Sequence, residues 1–217
     1  MTKPLTVGID GSERMLAKST AFARAGLRFE RGDIADFTTP RWYDLIFSNA
    51  ALHWVPDHEP LLARLTAALA AGGQLAVQVP ANHDHPAHRT ATELAAEAPF
   101  AGALAAAARG DRGGRGDSGP HNAVLRPEVY AALLDRLGFV EQHVRLQVYA
   151  HHLESRDAVV EWVRGTTLTS YEQRLSPELF GRFLERYRER LLPRLADDRP
   201  FFYPFQRILL WARRPVG

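Results

Sequence analysis

Between residues 5 and 79, short apolar runs alternate with amphipathic stretches at a pitch that few folds accommodate. Leu5 to Ile9 is an apolar run ending at Asp10. Gly11 follows, and then Ser12, whose hydroxyl is suited to cap a helix with Met15, Ser19 and Phe22 on one face. Leu27 to Glu30 reads as a second strand, followed by the turn-rich GDIADF. Leu45, Ile46 and Phe47 form an unbroken apolar run, the pattern of a strand buried on both faces. Pro56 and Asp57 introduce a helix carrying Leu61, Leu62, Leu65 and Leu69, closed by Gly72 and Gly73. QLAVQV is a further strand, stopped by Pro80. This alternation predicts an α/β fold with a mostly parallel sheet and helices on its faces.

Beyond Pro80 the pattern loosens. Residues 86–108 read as helical and alanine-rich, and 109–120 (RGDRGGRGDSGP) as a glycine-rich loop. Its Arg115-Gly116-Asp117 has the form of an adhesion tripeptide and is read as chance. A helix over 127–137 ends at Gly138. Val140, Val144, Leu146, Val148 and Ala150 then alternate as in a half-buried strand. Residues 155–195 read as two or three helices, the last opened by Ser176-Pro177 with Phe180, Phe183, Leu184, Tyr187 and Leu191 on one face. FFYPFQRILLWARR is the final strand. A length of 217 residues suits one domain with an appended cap. The core is expected from 1–80, 127–152 and 201–217, and the helical cap from 81–126 and 153–200.

Composition removes several function classes. Without cysteine there is no disulfide scaffold, no thiolate metal site and no cysteine nucleophile. Of the 27 basic residues only Lys3 and Lys18 are lysine, and the 25 acidic residues leave a net charge of +2. That balance gives no nucleic-acid footprint. The apolar runs fall far short of the ~18 residues a membrane span needs, and the opening residues have no signal-peptide anatomy. The expectation is a cytoplasmic protein with no membrane partner, and no residue pattern specifies an oligomeric state.

Acidic residues at the carboxyl ends of strands carry the chemistry. Asp10 stands where open α/β folds hold a ribose, whose vicinal hydroxyls donate to a carboxylate. Asp33 follows the next strand in the same way, and a nucleoside offers an exocyclic amine as a further donor. Met15 reads either as lying against an adenine face or, more simply, as a core residue. His83, His85 and His88 have a spacing that can share a metal, but they sit in a proline-bounded stretch after a strand, and no metal is expected. No phosphate-binding loop, nucleophile elbow or zinc-protease motif is present. The dinucleotide fingerprint that a nicotinamide-dependent oxidoreductase would need is missing as well.

The runs VGIDGSERMLAKS, FERGDIADF, YDLIFSNAALHWVPDHEPLLARL and GGQLAVQVPAN together resemble a class I S-adenosylmethionine-dependent methyltransferase. More narrowly the chain resembles the trans-aconitate methyltransferases. AVVEWVRGTTLTSYEQRLSPELFGRFLERY and YPFQRILLWARRP are similar to that family's cap and final strand. The resemblance implies a Rossmann-like sheet with its last strand antiparallel, S-adenosylmethionine as cofactor, and methyl transfer to a carboxylate of a small polycarboxylic acid. Asp10 matches the acid that holds the ribose, with Gly11, Ser12 and Met15 beside it. Asp33 and Ile34 match the pair next to the adenine, and Asn49 the position near the methionine part. His53 and Trp54 lie on the segment facing the transferred methyl and are the expected catalytic pair.

The family also opens with a helix, a first strand and a DLGCGPG-type turn, and these 217 residues contain no counterpart of that block. The expectation is therefore weak cofactor binding, from a reading frame begun at a downstream Met or from a decayed copy. The alternative function is a non-catalytic binding or dimerisation module. Methylation of a carboxylate needs no general base, because the nucleophile is ionised at neutral pH. Positioning carries the catalysis. Trp162, Arg164, Tyr171 and Arg207 are the expected anchors for the acid.

Overall fold

The computed structural model describes residues 5–39, 43–110 and 124–217. The glycine-rich stretch 111–123, with its Arg115-Gly116-Asp117, lies outside the described residues. In chain order the strands are β1 (Thr6–Asp10), β2 (Leu27–Arg31), β3 (Tyr43–Asn49), β4 (Leu69–Pro80), β5 (Glu141–Leu153) and β6 (Phe201–Arg213). The helices are α1 (Glu13–Ser19), α2 (His58–Ala67), α3 (Pro86–Ala95), α4 (Phe100–Gly110), α5 (Pro127–Arg136), α6 (Asp157–Arg164), α7 (Thr169–Arg174) and α8 (Pro177–Leu191). None of these helices is long and apolar enough to cross a membrane.

Two groups of strands form. β1 and β2 pair in parallel, with Thr6 opposite Leu27 and Asp10 opposite Arg31. The other four run in the order β3-β4-β6-β5. β3 and β4 are parallel, with Ile46 opposite Leu75 and Asn49 opposite Gln78. β6 runs against β4, because Gly72 N–H donates to Pro215 O and Ala81 N–H to Gln206 O. It also runs against β5, as Val140 N–H donates to Arg213 O and His152 lies by Phe202. Three of these four strands thus share one direction and the last chain segment opposes them. This is the α/β fold, with an antiparallel last strand, that the alternation and the resemblance led us to expect.

The chain divides into two compact units. The first comprises 1–79, 125–145 and 209–217, and the second 80–124 and 146–208. Strands β5 and β6 each contribute to both units, dividing after Arg145 and after Ile208. At 13 residues each, they reach ~43 Å at ~3.3 Å per residue. One strand can then serve two hydrophobic cores.

In the first unit Leu52, Leu61, Leu62, Leu65, Leu75, Val77, Tyr130, Leu133 and Leu134 are buried. Ser12 caps α1 as its sequence suggests, its hydroxyl accepting from Met15 N–H at 3.4 Å. α5 closes as predicted at Gly138, which has φ +81°. Gly138 N–H donates to Asp135 O and Phe139 N–H to Leu134 O, a Schellman closure.

Expectations of burial and extent are corrected here. Leu45 and Phe47 are 55% and 71% exposed, although their apolar run reads as doubly buried. The two are two residues apart and share one face of β3, which their exposure shows to be uncovered among the described residues; β3 also has β4 as its one strand neighbour. Val140 just before β5, and Leu146, Val148 and Ala150 on it, are likewise exposed at the other end of the strand order. Met15 and Phe22 on the α1 side are exposed as well. In extent, α2 stops at Ala67 instead of running to Gly72-Gly73. Leu69 opens β4 and pairs with Tyr43, and the next pair is Leu45 with Gln74. The intervening residues bulge through Gly72 at φ +71°, and a Cβ on Gly73 would come within 2.9 Å of Tyr43 O and Ala70 O. Those glycines permit a tight strand irregularity, where the sequence reading took them for a helix end.

The second unit packs helices α3, α4 and α6–α8 around Leu94, Phe100, Val159, Val160, Val163, Tyr171, Phe183, Tyr187 and Tyr203. Ser176 opens α8 by accepting from Leu179 N–H at 3.2 Å. Of the expected α8 face, Phe180, Phe183, Tyr187 and Leu191 are buried and Leu184 is half-buried.

Candidate functional site

In the first unit the two acids stand at the carboxyl ends of paired parallel strands. Asp10 is the last residue of β1, and Asp33 lies two residues beyond β2. Each organises the turn after it: Asp10 Oδ1 accepts from Ser12 N–H at 2.7 Å, and Asp33 Oδ1 from Ala35 N–H at 2.8 Å. Gly32 N–H donates to Asp10 O at 3.2 Å and stitches the two turns together. Gly11 sits between them, with only Gly32 O, at 3.8 Å, within 4 Å of where its Cβ would be. Ile34 begins the short helix after Asp33, and Ala35 O in it accepts from Arg64 of α2 at 2.7 Å. Met15 is exposed on α1. The donor-poor, acceptor-rich pair of carboxylates suits the hydroxyls and amine of a nucleoside.

Asn49 ends β3, and the chain then turns through Ala50, whose φ is +51°. Ala50 N–H donates to Gln78 O at 2.9 Å, which holds this turn against β4. The next residues form a short helix, Leu52–Trp54. Leu52 is buried, Trp54 is exposed, and the His53 ring lies 4.7 Å from the Trp54 ring. Burial, reinforced by the neighbouring His58, lowers the His53 pKa to about 4. At neutral pH it is an uncharged imidazole.

A brace that sequence reasoning missed stands behind this segment. Buried His58 lies 2.8 Å through Nε2 from Leu52 O and 2.6 Å through Nδ1 from the Tyr130 hydroxyl. A carbonyl only accepts, so Nε2 carries the proton and Nδ1 accepts from Tyr130. The same hydroxyl accepts from Leu125 N–H at 3.3 Å. Burial lowers the His58 pKa, against the opposing pull of its backbone hydrogen bonds. His58 and Tyr130 are 72 residues apart in the chain, and no local pattern announces such a pair.

In the second unit two of the expected acid anchors come together and two do not. The Trp162 ring lies 5.0 Å from His151, 5.8 Å from Tyr203 and 6.2 Å from Phe205. Arg207 stacks over Phe205 at 5.1 Å and Tyr149 at 5.3 Å. Trp162 and Arg207 thus meet on Phe205. Arg164 forms an ion pair at 3.9 Å with exposed Glu172 instead. Tyr171 is fully buried and stacks on Phe183 at 5.0 Å, so it packs the core. Of the three spaced histidines, His85 Nδ1 accepts from Ala87 N–H at the start of α3, and His88 lies 3.2 Å from the Thr167 hydroxyl. Burial lowers the pKa of both, that of His88 to about 4.

The methyltransferase domain family matches residues 3–77 of the chain. A trans-aconitate 2-methyltransferase from Deinococcus radiodurans is 43% identical over 209 residues, covering 96% of this chain and 77% of that protein. Another from Methylobacterium nodulans is 38% identical over 211 residues, covering 96% and 77%. Among solved structures, the YcgJ protein from Bacillus subtilis has a similar fold. Its TM-score is 0.57 at 15% identity, covering 97% of this chain and 82% of that one. Phosphoethanolamine N-methyltransferase 2 of Haemonchus contortus, with S-adenosylhomocysteine, matches at TM-score 0.50 and 14% identity, over 98% of this chain and 44% of that one. These relatives support an enzyme and give the non-catalytic alternative no support.

Proposed function

The chain belongs to the trans-aconitate 2-methyltransferase family, and from that membership we propose that it esterifies one carboxylate of trans-aconitate or a close polycarboxylic analogue. S-adenosylmethionine is the cofactor of this class. The observation that carries the reading is the pair Asp10 and Asp33, side by side at the carboxyl ends of β1 and β2. Ligands of open α/β sheets lie outside those ends.

The residues present fit the nucleoside part of the cofactor. Asp10 accepts from the ribose hydroxyls, and Asp33 with Ile34 borders the adenine, with Met15, Gly11 and Ser12 completing the edge. Asn49 serves the methionine part. When bound, the cofactor supplies an electrophilic methyl on a sulfonium. The protein's task is then positioning, since a carboxylate is already ionised at neutral pH and needs no base. Holding two reactants in line supplies roughly 7–11 kcal/mol of the barrier. Neutral His53 offers an N–H to an acceptor oxygen without trapping it as an ion pair, and Trp54 packs beside it. The His58–Tyr130 brace keeps that segment in place. Within the second unit, Trp162 and Arg207 are the side chains suited to a carboxylate, whereas Arg164 and Tyr171 are engaged in a surface ion pair and in the core.

Incubation of the purified chain with methyl-labelled cofactor and trans-aconitate tests this. Label is expected in a base-labile ester of the acid. No label in the acid, from protein that demonstrably binds S-adenosylhomocysteine, would overturn the acceptor assignment.

A further inference from the structure

The turn after β3 holds an unfavourable backbone shape. Ala50 sits at φ +51°, in the left-handed region that a residue with a Cβ seldom adopts. Such a residue persists where its surroundings pin the chain on either side. Before the short helix Leu52–Trp54, the pin is Ala50 N–H, which donates to Gln78 O of β4 at 2.9 Å. Within that helix the pin is a side chain, His58, whose Nε2 lies 2.8 Å from Leu52 O.

Leu52 O is used twice. It accepts from Val55 N–H at 2.9 Å, which closes the short helix, and from His58 on its second lone pair. His58 is buried, and so is Tyr130 against its other nitrogen. Burial keeps the imidazole uncharged at neutral pH, so the ring has one proton to place. That proton belongs on Nε2 while a donor faces Nδ1, and the Tyr130 hydroxyl is that donor. The opposite tautomer would set the lone pairs of Nε2 and Leu52 O against each other at 2.8 Å.

We infer that His58 is a positioning residue for methyl transfer: Tyr130 of α5 selects its tautomer, and its Nε2 proton sets the turn that presents His53 and Trp54. The two bonds of one ring then have separate tasks. The bond to Leu52 O shapes the turn, and the bond from Tyr130 holds α5 and fixes the proton. All of these groups lie in the first unit. The inference rests on the acid-methylating reading, in which His53 and Trp54 face the transferred methyl.

The two ends of the imidazole can be kept one at a time in the full chain. The amide of His58→Gln reaches the place of Nε2 and donates to Leu52 O. The shorter His58→Asn reaches only the place of Nδ1, where its carbonyl accepts from Tyr130. Thermal midpoints, amide hydrogen exchange at Trp54 and Val55, S-adenosylhomocysteine affinity and methyl-transfer kinetics are measured for both variants and the wild type. Nitrogen NMR of the wild-type ring should show Nε2 protonated and Nδ1 bare. His58→Asn should speed exchange at Trp54 and Val55 about fivefold or more, the scale of one lost hydrogen bond. It should lower kcat about tenfold or more, with KM and S-adenosylhomocysteine affinity little changed. His58→Gln should recover most of the exchange protection and kcat, yet lose at least as much in midpoint, because it strands the Tyr130 proton. A purely structural residue would instead lose activity in step with the midpoint. A wild-type ring protonated on Nδ1, equal exchange in the two variants, or equal kcat in them would overturn the inference. Exchange that separates the variants in a chain that methylates no acid would uphold the setting of the turn and overturn the acid-methylating reading.

Discussion

The imidazole of His58 accepts the hydroxyl proton of Tyr130 at 2.6 Å and donates its own proton to the Leu52 carbonyl at 2.8 Å. One side chain thereby ties α5 to the start of α2 and to the turn that carries His53 and Trp54. Tyr130→Phe leaves buried Nδ1 and the Leu125 amide without this partner. It should lower stability by about 1–3 kcal/mol in urea unfolding. Methyl transfer should fall with it through kcat, since the brace positions the His53 segment and touches no ligand. An unchanged midpoint and kcat would show that the brace is dispensable.

Asp10→Asn keeps an oxygen for the Ser12 amide and removes the carboxylate charge. It should therefore spare the turn and weaken the cofactor about tenfold or more, the scale of a lost charge-assisted hydrogen bond. Cofactor KM should rise more than kcat falls. Asp33→Asn should behave in the same way. Steady-state kinetics with varied cofactor separates this from a general loss of fold, which would lower the active fraction and leave KM alone.

Acid should destabilise the protein earlier than its carboxylates alone would dictate. His53 and His88 have pKa values lowered from 6.5 to about 4. The folded state therefore binds fewer protons than the unfolded one between those values. The stability they contribute is fully present above pH ~6.5 and is lost as pH falls toward ~4, up to about 3 kcal/mol for each group. A thermal-midpoint series from pH 7.5 to 4 should show the decline, and His88→Gln should flatten it. A flat series in the wild type would contradict the buried, neutral state of both rings.

The exposed apolar pair on β3 predicts self-association. Leu45 and Phe47 are uncovered on an end strand, and such edges pair or aggregate. Replacing both with threonine keeps strand propensity and should change stability by no more than about 0.5 kcal/mol each, as at other surface positions. Sedimentation velocity should then show less oligomer than the wild type. Equal distributions would mean that this face does not attract a second copy.

Most strands and helices are legible in the sequence because their cause is local. Ser12, Ser176 and Gly138 mark helix ends through hydrogen bonds made within a few residues, and all three act as read. The alternation up to Val79 gave the parallel pairs, and hence the placement of Asp10 and Asp33 after adjoining strands. Leu69 misleads because it continues the spacing of Leu61, Leu62 and Leu65, while its backbone answers to Tyr43 across the sheet.

Residue order alone thus determined most element types and the two acids at strand ends, since periodicity and capping act over a few residues; the antiparallel sense of the last strand was implied only by the family resemblance. Tertiary structure decided what those elements are covered by. Phe47 and Val148 have the sequence of buried strands and lie exposed, because burial depends on which neighbour is present and no single strand encodes its neighbour. The same reason hid the His58–Tyr130 brace. It also separated Arg164 and Tyr171 from Trp162 and Arg207: residues of one α-helix three or four apart share a face, but residues on different elements meet only through packing.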